Sequence, residues 1–188
     1  VHARVKAEGP DKLVLGEVWE DASNKISYSV QRRYLQGKQL DSVMNYPFKD
    51  AVLNFFHDRD FERFCERILT IVENYPPPVL NLVMNSISTH DTLRAITALA
   101  GPPRNSLSRD AQASYRMEDG AYQYGKYLLK MAAALQFTLP GIPCIYYGDE
   151  AGMEGYRDPF NRGCYPWGHE DRSLIGWYQK LGALRRSC

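Results

Sequence analysis

Short apolar runs, separated by stretches with helical periodicity, organise the chain. Residues 13–19 form an apolar run with one carboxylate near its end, Glu17, which is typical of a parallel strand covered on both faces. In residues 61–72 the apolar positions recur every three or four residues, which predicts a helix, and the consecutive prolines at 76–78 prevent its continuation. The first part of the sequence therefore predicts a strand followed by a helix.

The same alternation continues to the end of the sequence. Further strands are predicted at residues 41–46, 85–89 and 142–147, and further helices at residues 93–100, over about 18 residues ending near residue 139, and at residues 173–186. The polar residues 104–120 are predicted to form a long loop. Four strand–helix units in order indicate a parallel α/β fold that amounts to half of a (β/α) barrel, which needs about 250 residues when complete.

Length and charge exclude several classes of function. With 188 residues the chain is one ordinary domain or part of a larger one, and 23 basic against 22 acidic residues give a net charge of only +1. Such a balance provides no long-range field for steering onto nucleic acid or an anionic membrane. The apolar runs are too short for a membrane span, and no targeting signal precedes them. Because the chain begins at Val1 rather than Met, we expect that residues preceding it were removed.

The cysteines and acidic residues indicate neither a disulfide framework nor a metal centre. Cys65, Cys144, Cys164 and Cys188 are widely spread and form no C-x-x-C pair, so we predict reduced cysteines, a cytoplasmic location and no zinc site. No group of acidic residues has the spacing of a calcium loop. We therefore assign no metal-ligating residue, and the sequence does not determine the metal content.

Carboxylates stand where predicted strands end. Glu17, Asp91, Asp149 and Glu150 all occupy such positions, and the catalytic groups of (β/α) barrels lie at the C-terminal ends of the strands. Glycoside hydrolysis needs two carboxyl groups, one to protonate the leaving oxygen and one to attack or stabilise the sugar cation. Spacing alone leaves a generic α/β domain or a phosphate-binding barrel open, although no glycine-rich loop opens a helix.

Five motifs follow one another along the chain, at residues 16–20, 41–48, 88–94, 141–150 and 158–162 with Trp167. Together they resemble the alpha-amylase superfamily, glycoside hydrolase family thirteen. Residues 16–20, Gly-Glu-Val-Trp-Glu, are similar to its fifth-strand signature, and residues 88–94, Ser-Thr-His-Asp-Thr-Leu-Arg, to its seventh-strand motif. Residues 41–48 resemble the sixth strand of the neopullulanase, cyclomaltodextrinase and maltogenic amylase group. Residues 141–150 resemble the eighth strand, and residues 158–162 with Trp167 the loop after it.

The resemblance implies specific roles for some of these residues. Glu17 would be the general acid/base, Asp91 the transition-state stabiliser, His90 a donor to sugar hydroxyls, and Arg94 a group that orients Asp91 or reaches a neighbouring sugar. Additional substrate-binding candidates are Trp19, Tyr46 and Arg162.

Simpler roles remain open for the same residues. Asp91 has the alternative role of a helix N-cap. The aromatic candidates, Trp167 among them, have the alternative role of core residues. Asp149 and Glu150 either line the cleft or hold the eighth-strand loop. Arg162 either bounds a sugar subsite or pairs with Asp158. The implied chemistry needs no cofactor, and calcium is a possibility only in a parent protein.

One departure from the family pattern limits the resemblance. The superfamily's nucleophile is an Asp in a Gly-x-Arg-x-Asp pattern on the fourth strand, and this chain contains neither an Arg-x-Asp sequence nor the third-strand Asn-His motif. The resemblance therefore implies the second half of a TIM barrel, about strands five to eight, with residues 1–12 as the tail of the fourth helix. We expect a fragment of a retaining hydrolase of maltooligosaccharides, cyclodextrins or starch-like glucans, inactive by itself.

Half a barrel needs a partner for its open strand edges. We expect the chain to pair with the missing N-terminal half or to associate with itself. The alternative function is a carbohydrate-binding or assembly module that keeps the sugar-facing residues without turnover.

Overall fold

The structure, a computed structural model, describes residues 1–187, with only the backbone of Arg104. Cys188, one of the cysteines predicted to be reduced, lies outside this range, and Cys65, Cys144 and Cys164 carry free thiols. The chain divides into two compact units. Unit 1 contains residues 1–51, 60–86 and 140–144, and unit 2 contains residues 52–59, 87–139 and 145–188.

Within residues 1–187 the predicted alternation of strands and helices holds from β4 onward, whereas no helix lies between β1 and β4. The helices are α1 (His2–Glu8), α2 (Tyr46–Asp58), α3 (Phe61–Asn74), α4 (Pro77–Leu80), α5 (Ala95–Ala100), α6 (Arg109–Ser114), α7 (Asp119–Thr138) and α8 (Arg172–Ser187). The strands are β1 (Leu15–Gly16), β2 (Ile26–Ser27), β3 (Val30–Gln31), β4 (Ser42–Val43), β5 (Met84–Asn85) and β6 (Ile142–Pro143).

Four short strands of unit 1 run parallel and neighbour one another in chain order. β1 pairs with β4, Met44 just after β4 bridges Met84 of β5, and β5 pairs with β6, all in parallel. β2 and β3 form a separate antiparallel hairpin, which lies between β1 and β4 in the chain. Helices connect β4 to β5 and β5 to β6, and parallel neighbours joined in this way are the arrangement of an α/β fold. The strands are shorter than predicted, and Leu15 of β1 is 42% exposed, so the expectation of a strand covered on both faces is wrong.

Buried amides join three of these strands. Asn45, after β4, donates a hydrogen bond of 2.8 Å to the side-chain oxygen of Asn85 in β5, and Asn85 donates one of 2.8 Å to the carbonyl of Pro140 before β6. Gly141 has φ of +116°, and a Cβ there would lie 2.7 Å from the Asn85 amide nitrogen. Only glycine therefore lets the chain enter β6 so close to this network.

Unit 2 is built around α5, α7 and α8. α7 packs against both α5 and α8, and Ala133 and Phe137 of α7 share a core cluster with Tyr178 and Leu181 of α8. Asp171 caps α8, because its carboxylate accepts hydrogen bonds from the backbone N–H groups of Ser173 and Leu174. These helices confirm the periodicity predicted for the second half of the chain.

Two helical segments differ from the predictions. The segment 104–120, predicted as a loop, contains a 3₁₀ turn at Arg104–Ser106 and α6, whose N-cap Ser108 accepts from the backbone N–H of Ala111 at 3.2 Å. α2 begins at Tyr46, where the sequence predicts the end of a strand. Pro47 is compatible with this helix because the first turn needs no backbone N–H donor.

Candidate active site

Glu17 follows β1 directly and is held by Tyr46. The Tyr46 hydroxyl donates a 2.8 Å hydrogen bond to Oε1 of Glu17, whose side chain is exposed. Trp19 stacks on the Tyr46 ring, with centroids 4.1 Å apart and an interplanar angle of 17°. Trp19 is 46% exposed, whereas Tyr46 is 2% exposed. Trp19 thus has exposed surface on which a sugar ring could stack. Tyr46 is buried, so the expectation that it contacts sugar is corrected: its ring and hydroxyl support Trp19 and Glu17.

His90 and Asp91 lie in a turn between β5 and α5 that its flanking threonines stabilise. The backbone N–H of Thr89 donates to the Thr92 hydroxyl at 2.8 Å. Nε2 of His90 lies 3.5 Å from Oδ2 of Asp91, whose side chain is 35% exposed. α5 starts at Ala95 with Arg94 as its N-cap, so the alternative of Asp91 as a helix cap does not hold. Its carboxylate is instead available for other partners.

Arg162 pairs with the Asp91 carboxylate. Its Nη2 lies 3.2 Å from Oδ1 of Asp91, and its Nε donates to the carbonyl of His90 at 3.1 Å. The same Nε lies 2.8 Å from Oδ1 of Asp158, which is the pairing considered as one alternative for Arg162. The Arg162 side chain remains 45% exposed beside the carboxylate. The structure therefore brings His90, Asp91 and Arg162 together.

Arg94 lies elsewhere and is fully buried. Its Nη1 lies 3.7 Å from Oδ1 of Asp149 and donates to the carbonyl of Tyr147, while the guanidinium stacks over the Tyr146 and Tyr147 rings at 4.2 and 4.5 Å. A side chain with no exposed surface cannot reach a sugar, and Arg162 rather than Arg94 is paired with Asp91. Arg94 is therefore corrected from a substrate-binding candidate to a buried partner of Asp149.

Asp149 is a buried structural carboxylate. It accepts a short hydrogen bond from the Ser88 hydroxyl in addition to its pairing with Arg94. Burial raises its pKa from 3.8 to about 6, although the Ser88 hydrogen bond and the Arg94 charge act in the opposite direction. Of the two roles left open, Asp149 therefore has the one that holds the loop after β6.

Glu150 has a contact that fits one of its two open roles, holding the loop after β6. Its carboxylate accepts a 2.8 Å hydrogen bond from the backbone N–H of Gly148, which tightens the turn after β6. It also lines a cavity of about 440 Å³ together with Tyr165, Tyr178 and Arg186.

Among residues 1–187 no helix is long and apolar enough to cross a bilayer.

Sequence reasoning missed Ser88 and Asn161. Asn161 is fully buried and donates to backbone carbonyls of the turn that carries His90 and Asp91. Both residues fall inside motifs that the sequence singles out, at 88–94 and 158–162. Their position within those motifs was the available signal, but a buried amide or hydroxyl cannot be told from an exposed one by spacing alone.

Comparisons with known proteins show the family of the chain. The family model "Alpha amylase, catalytic domain" matches residues 1–178. The amylopullulanase of Thermoanaerobacter thermohydrosulfuricus is 36% identical over 199 aligned residues, covering 98% of this chain and 12% of the relative. The cyclomaltodextrinase of a Bacillus species is 35% identical, covering 97% of this chain and 28% of the relative.

A solved structure extends the likeness to the fold. A cyclomaltodextrinase structure superposes with a TM-score of 0.77 and 34% identity, covering all of this chain and 27% of that one. The chain thus spans between about an eighth and about a quarter of the length of these relatives. The family match over nearly its whole length means that the chain belongs to the alpha-amylase catalytic-domain family.

Proposed function

We propose that this chain supplies the acid/base and the transition-state stabiliser of a retaining hydrolase of α-glucosidic bonds. The observation that carries the proposal is the exposed Asp91 carboxylate, which is paired with Arg162 and adjacent to His90. Sequence relatives named cyclomaltodextrinase and amylopullulanase support α-glucan oligosaccharides as the substrate class. The finer choice among maltooligosaccharides, cyclodextrins and starch-like glucans belongs to this proposal.

Each side chain has a separate part in the proposed chemistry. Glu17 donates its proton to the leaving glycosidic oxygen, and the Tyr46 hydroxyl fixes the Glu17 carboxyl group through its 2.8 Å hydrogen bond. Asp91 stabilises the positive charge that develops on the sugar ring. His90, whose side chain is 45% exposed, donates to sugar hydroxyls, and the exposed face of Trp19 stacks on an apolar sugar face. No cofactor takes part in these steps.

The chain by itself is proposed to be inactive. The retaining mechanism needs a carboxylate nucleophile that forms a covalent glycosyl-enzyme, and residues 1–188 contain no Arg-x-Asp sequence to supply the family's nucleophile. Glu17 can then protonate an oxygen and Asp91 can stabilise a cation, but no covalent intermediate forms. We propose that catalysis belongs to a protein in which strands bearing the nucleophile complete the barrel, of which this chain forms about strands five to eight.

The strand edges of unit 1 support a completing partner. Among the described residues β1 pairs only with β4 and β6 pairs only with β5, so each leaves one edge without a strand. Leu15 of β1 and Ile142 of β6 are exposed at these edges. Unpaired edges with apolar side chains favour strand addition. We propose that the chain pairs with the N-terminal half of a barrel or, without it, associates with itself. A clean monomer in size-exclusion chromatography with light scattering would contradict this proposal.

The lack of an Arg-x-Asp sequence favours a second candidate, a carbohydrate-binding module without turnover. Isothermal titration of the chain with maltoheptaose, beside a hydrolysis assay of the product of the complete gene, separates the candidates, because only the first predicts turnover by that product. We expect binding that Trp19→Ala weakens about fivefold, because loss of one stacking contact costs about 1 kcal/mol. Tyr127→Ala, which removes an exposed aromatic from α7, is the matched control. Maltoheptaose binding that is unaffected by Trp19→Ala would contradict the proposed sugar contact at Trp19.

The cytoplasmic location stays a prediction.

A further inference from the structure

The segment after β6 that contains Arg157 and Arg162 is hydrogen-bonded to the turn that carries His90 and Asp91. Arg157 donates from Nε to the carbonyl of Asp91 at 3.2 Å, and Arg162 donates from Nε to the carbonyl of His90 at 3.1 Å. Both arginines are exposed on the surface of the segment. Asn161 lies beneath them and is the buried member of the group.

The Asn161 side-chain amide contacts three main-chain carbonyls of this turn. Its Nδ2 lies 3.1 Å from the carbonyl oxygen of Thr89, 2.8 Å from that of His90 and 2.7 Å from that of Thr92. Carbonyls only accept hydrogen bonds, so the orientation of the amide is fixed by its partners. An apolar side chain at this position would leave the Thr92 carbonyl without a donor among the described residues, which is costly in a buried setting. It would also remove one donor each from the carbonyls of Thr89 and His90, which additionally accept from the Thr92 N–H and from Nε of Arg162.

The amide is also imperfectly satisfied, which points to a role beyond packing. Oδ1 of Asn161 is buried and has no hydrogen-bond partner among the described residues. Leaving a buried acceptor unpaired lowers stability, so the benefit of this side chain lies in its donor side. That donor side acts on the backbone on both sides of Asp91 and on no other element.

We propose that Asn161 is a positioning residue that fixes the Asp91 carboxylate beside Arg162 by binding the carbonyls of Thr89, His90 and Thr92. This rests on the proposed function of Asp91 as stabiliser. The carboxylate contacts Arg162 and His90 through its side chain, and neither contact sets the backbone from which it projects. Asn161 fixes the conformation of that backbone, and Arg162, the next residue in the sequence, supplies the positive charge that pairs with Asp91. One short segment therefore positions both members of the Asp91–Arg162 ion pair.

Gly155 offers an independent way to disturb this arrangement. It is anchored near α5, because the backbone N–H of Arg94 donates to its carbonyl at 2.9 Å and its own N–H donates to the Thr97 hydroxyl at 2.9 Å. A Cβ at Gly155 would lie 2.4 Å from the carbonyl oxygen of Phe160 and 3.0 Å from Cα of Asn161. Gly155→Ala therefore displaces Asn161 without changing its amide.

The test uses the full chain with the variants Asn161→Ala, Asn161→Ser and Gly155→Ala, and Asn105→Ala as the exposed control. Two measurements are made: the NMR resonance of the Arg162 side-chain Nε–H, and the affinity for maltoheptaose with and without Asp91→Asn. We expect the Arg162 signal to move toward that of solvent-exposed arginines in Asn161→Ala and Gly155→Ala, less in Asn161→Ser, and not in Asn105→Ala. Asn161→Ser retains one donor and is the variant to use where Asn161→Ala fails to fold.

The affinity data distinguish positioning of Asp91 from general support of the fold. We expect Asn161→Ala to weaken maltoheptaose binding about tenfold in the otherwise native chain and to have no further effect beside Asp91→Asn. Equal losses in both backgrounds, or an unmoved Arg162 resonance, would overturn the proposal. If the native chain binds no maltoheptaose, its proposed sugar site fails, and the Arg162 resonance still decides the role of Asn161.

Discussion

Replacing Asp149 by Asn should change how the free energy of unfolding depends on pH. The Asp149 side chain is 2% exposed, accepts a hydrogen bond from Ser88 and pairs with the buried Arg94. Burial raises its pKa to about 6 from the value of 3.8 that applies to the unfolded chain. Because Asn binds no proton, the variant removes this titration while keeping the size of the side chain.

The sign and size of the effect follow from proton linkage. Between pH 4 and pH 6 the folded chain holds the Asp149 proton more tightly than the unfolded chain, so the contribution of Asp149 to stability is complete below pH 4 and declines as the pH rises through about 6. A difference of roughly two pH units, at about 1.36 kcal/mol each, amounts to ~3 kcal/mol. The native chain should therefore lose about 3 kcal/mol relative to Asp149→Asn between pH 4 and pH 7.

Urea unfolding followed by circular dichroism at several pH values between 4 and 7 measures this difference. Groups that titrate in both proteins cancel when the variant is subtracted from the native chain. Asp11→Asn, at an exposed position in unit 1, serves as the control and should give a difference without this decline. A difference for Asp149→Asn that stays flat, or that grows with pH, would refute the assignment of Asp149 as a buried carboxylate opposed by desolvation.

Two further substitutions test the packing and capping of unit 2. Leu129→Ala in α7 removes a fully buried side chain and should lower the free energy of unfolding by about 2–5 kcal/mol, measured by urea unfolding; a loss under 1 kcal/mol would contradict the core assignment. Asp171→Ala should cost about 1–2 kcal/mol by removing the cap of α8. Burial opposes ionisation of Asp171, but bonds from Lys126, Ser173 and Leu174 lower its pKa, so this contribution should fade as the pH drops through that pKa. A loss of unfolding free energy in Asp171→Ala that is the same at low pH as at neutral pH would contradict a stabilising role of the ionised Asp171 carboxylate.

The order of strands and the amphipathic helices were predictable from the sequence. α3, α7 and α8 lie where apolar residues recur at helical spacing, and the parallel strands follow one another in the predicted order, although a hairpin rather than a helix lies between β1 and β4. α6 escaped prediction because its residues are polar and show no apolar period, and its signal was the capping Ser108. α2 escaped because its first residue, Tyr46, continues an apolar run that also suits a strand.

The candidate site was predictable in its residue types and less so in its contacts. The motifs led to Glu17, His90, Asp91 and Arg162, and the structure pairs Arg162 with Asp91. The burial of Arg94 was not predictable, because its partner Asp149 lies in a different motif 55 positions away and only folding brings the two together.

The burial of Tyr46 follows the same rule. An aromatic ring suits both a sugar platform and a core, and only packing against Trp19 and the hydrogen bond to Glu17 decide which role it takes. Sequence motifs therefore selected the candidate residues, whereas the division between exposed and buried members depended on tertiary contacts.

Hydrolysis of cyclodextrin and maltoheptaose is the measurement that tests the central claim most directly. It compares the product of the complete gene, its Glu17→Gln variant and the purified 188-residue chain. The account predicts hydrolysis with retention by the complete product, a loss of about 10²–10⁴-fold in Glu17→Gln because general acid catalysis is removed, and no turnover by the isolated chain. Full activity in Glu17→Gln, or turnover by the isolated chain, would contradict it.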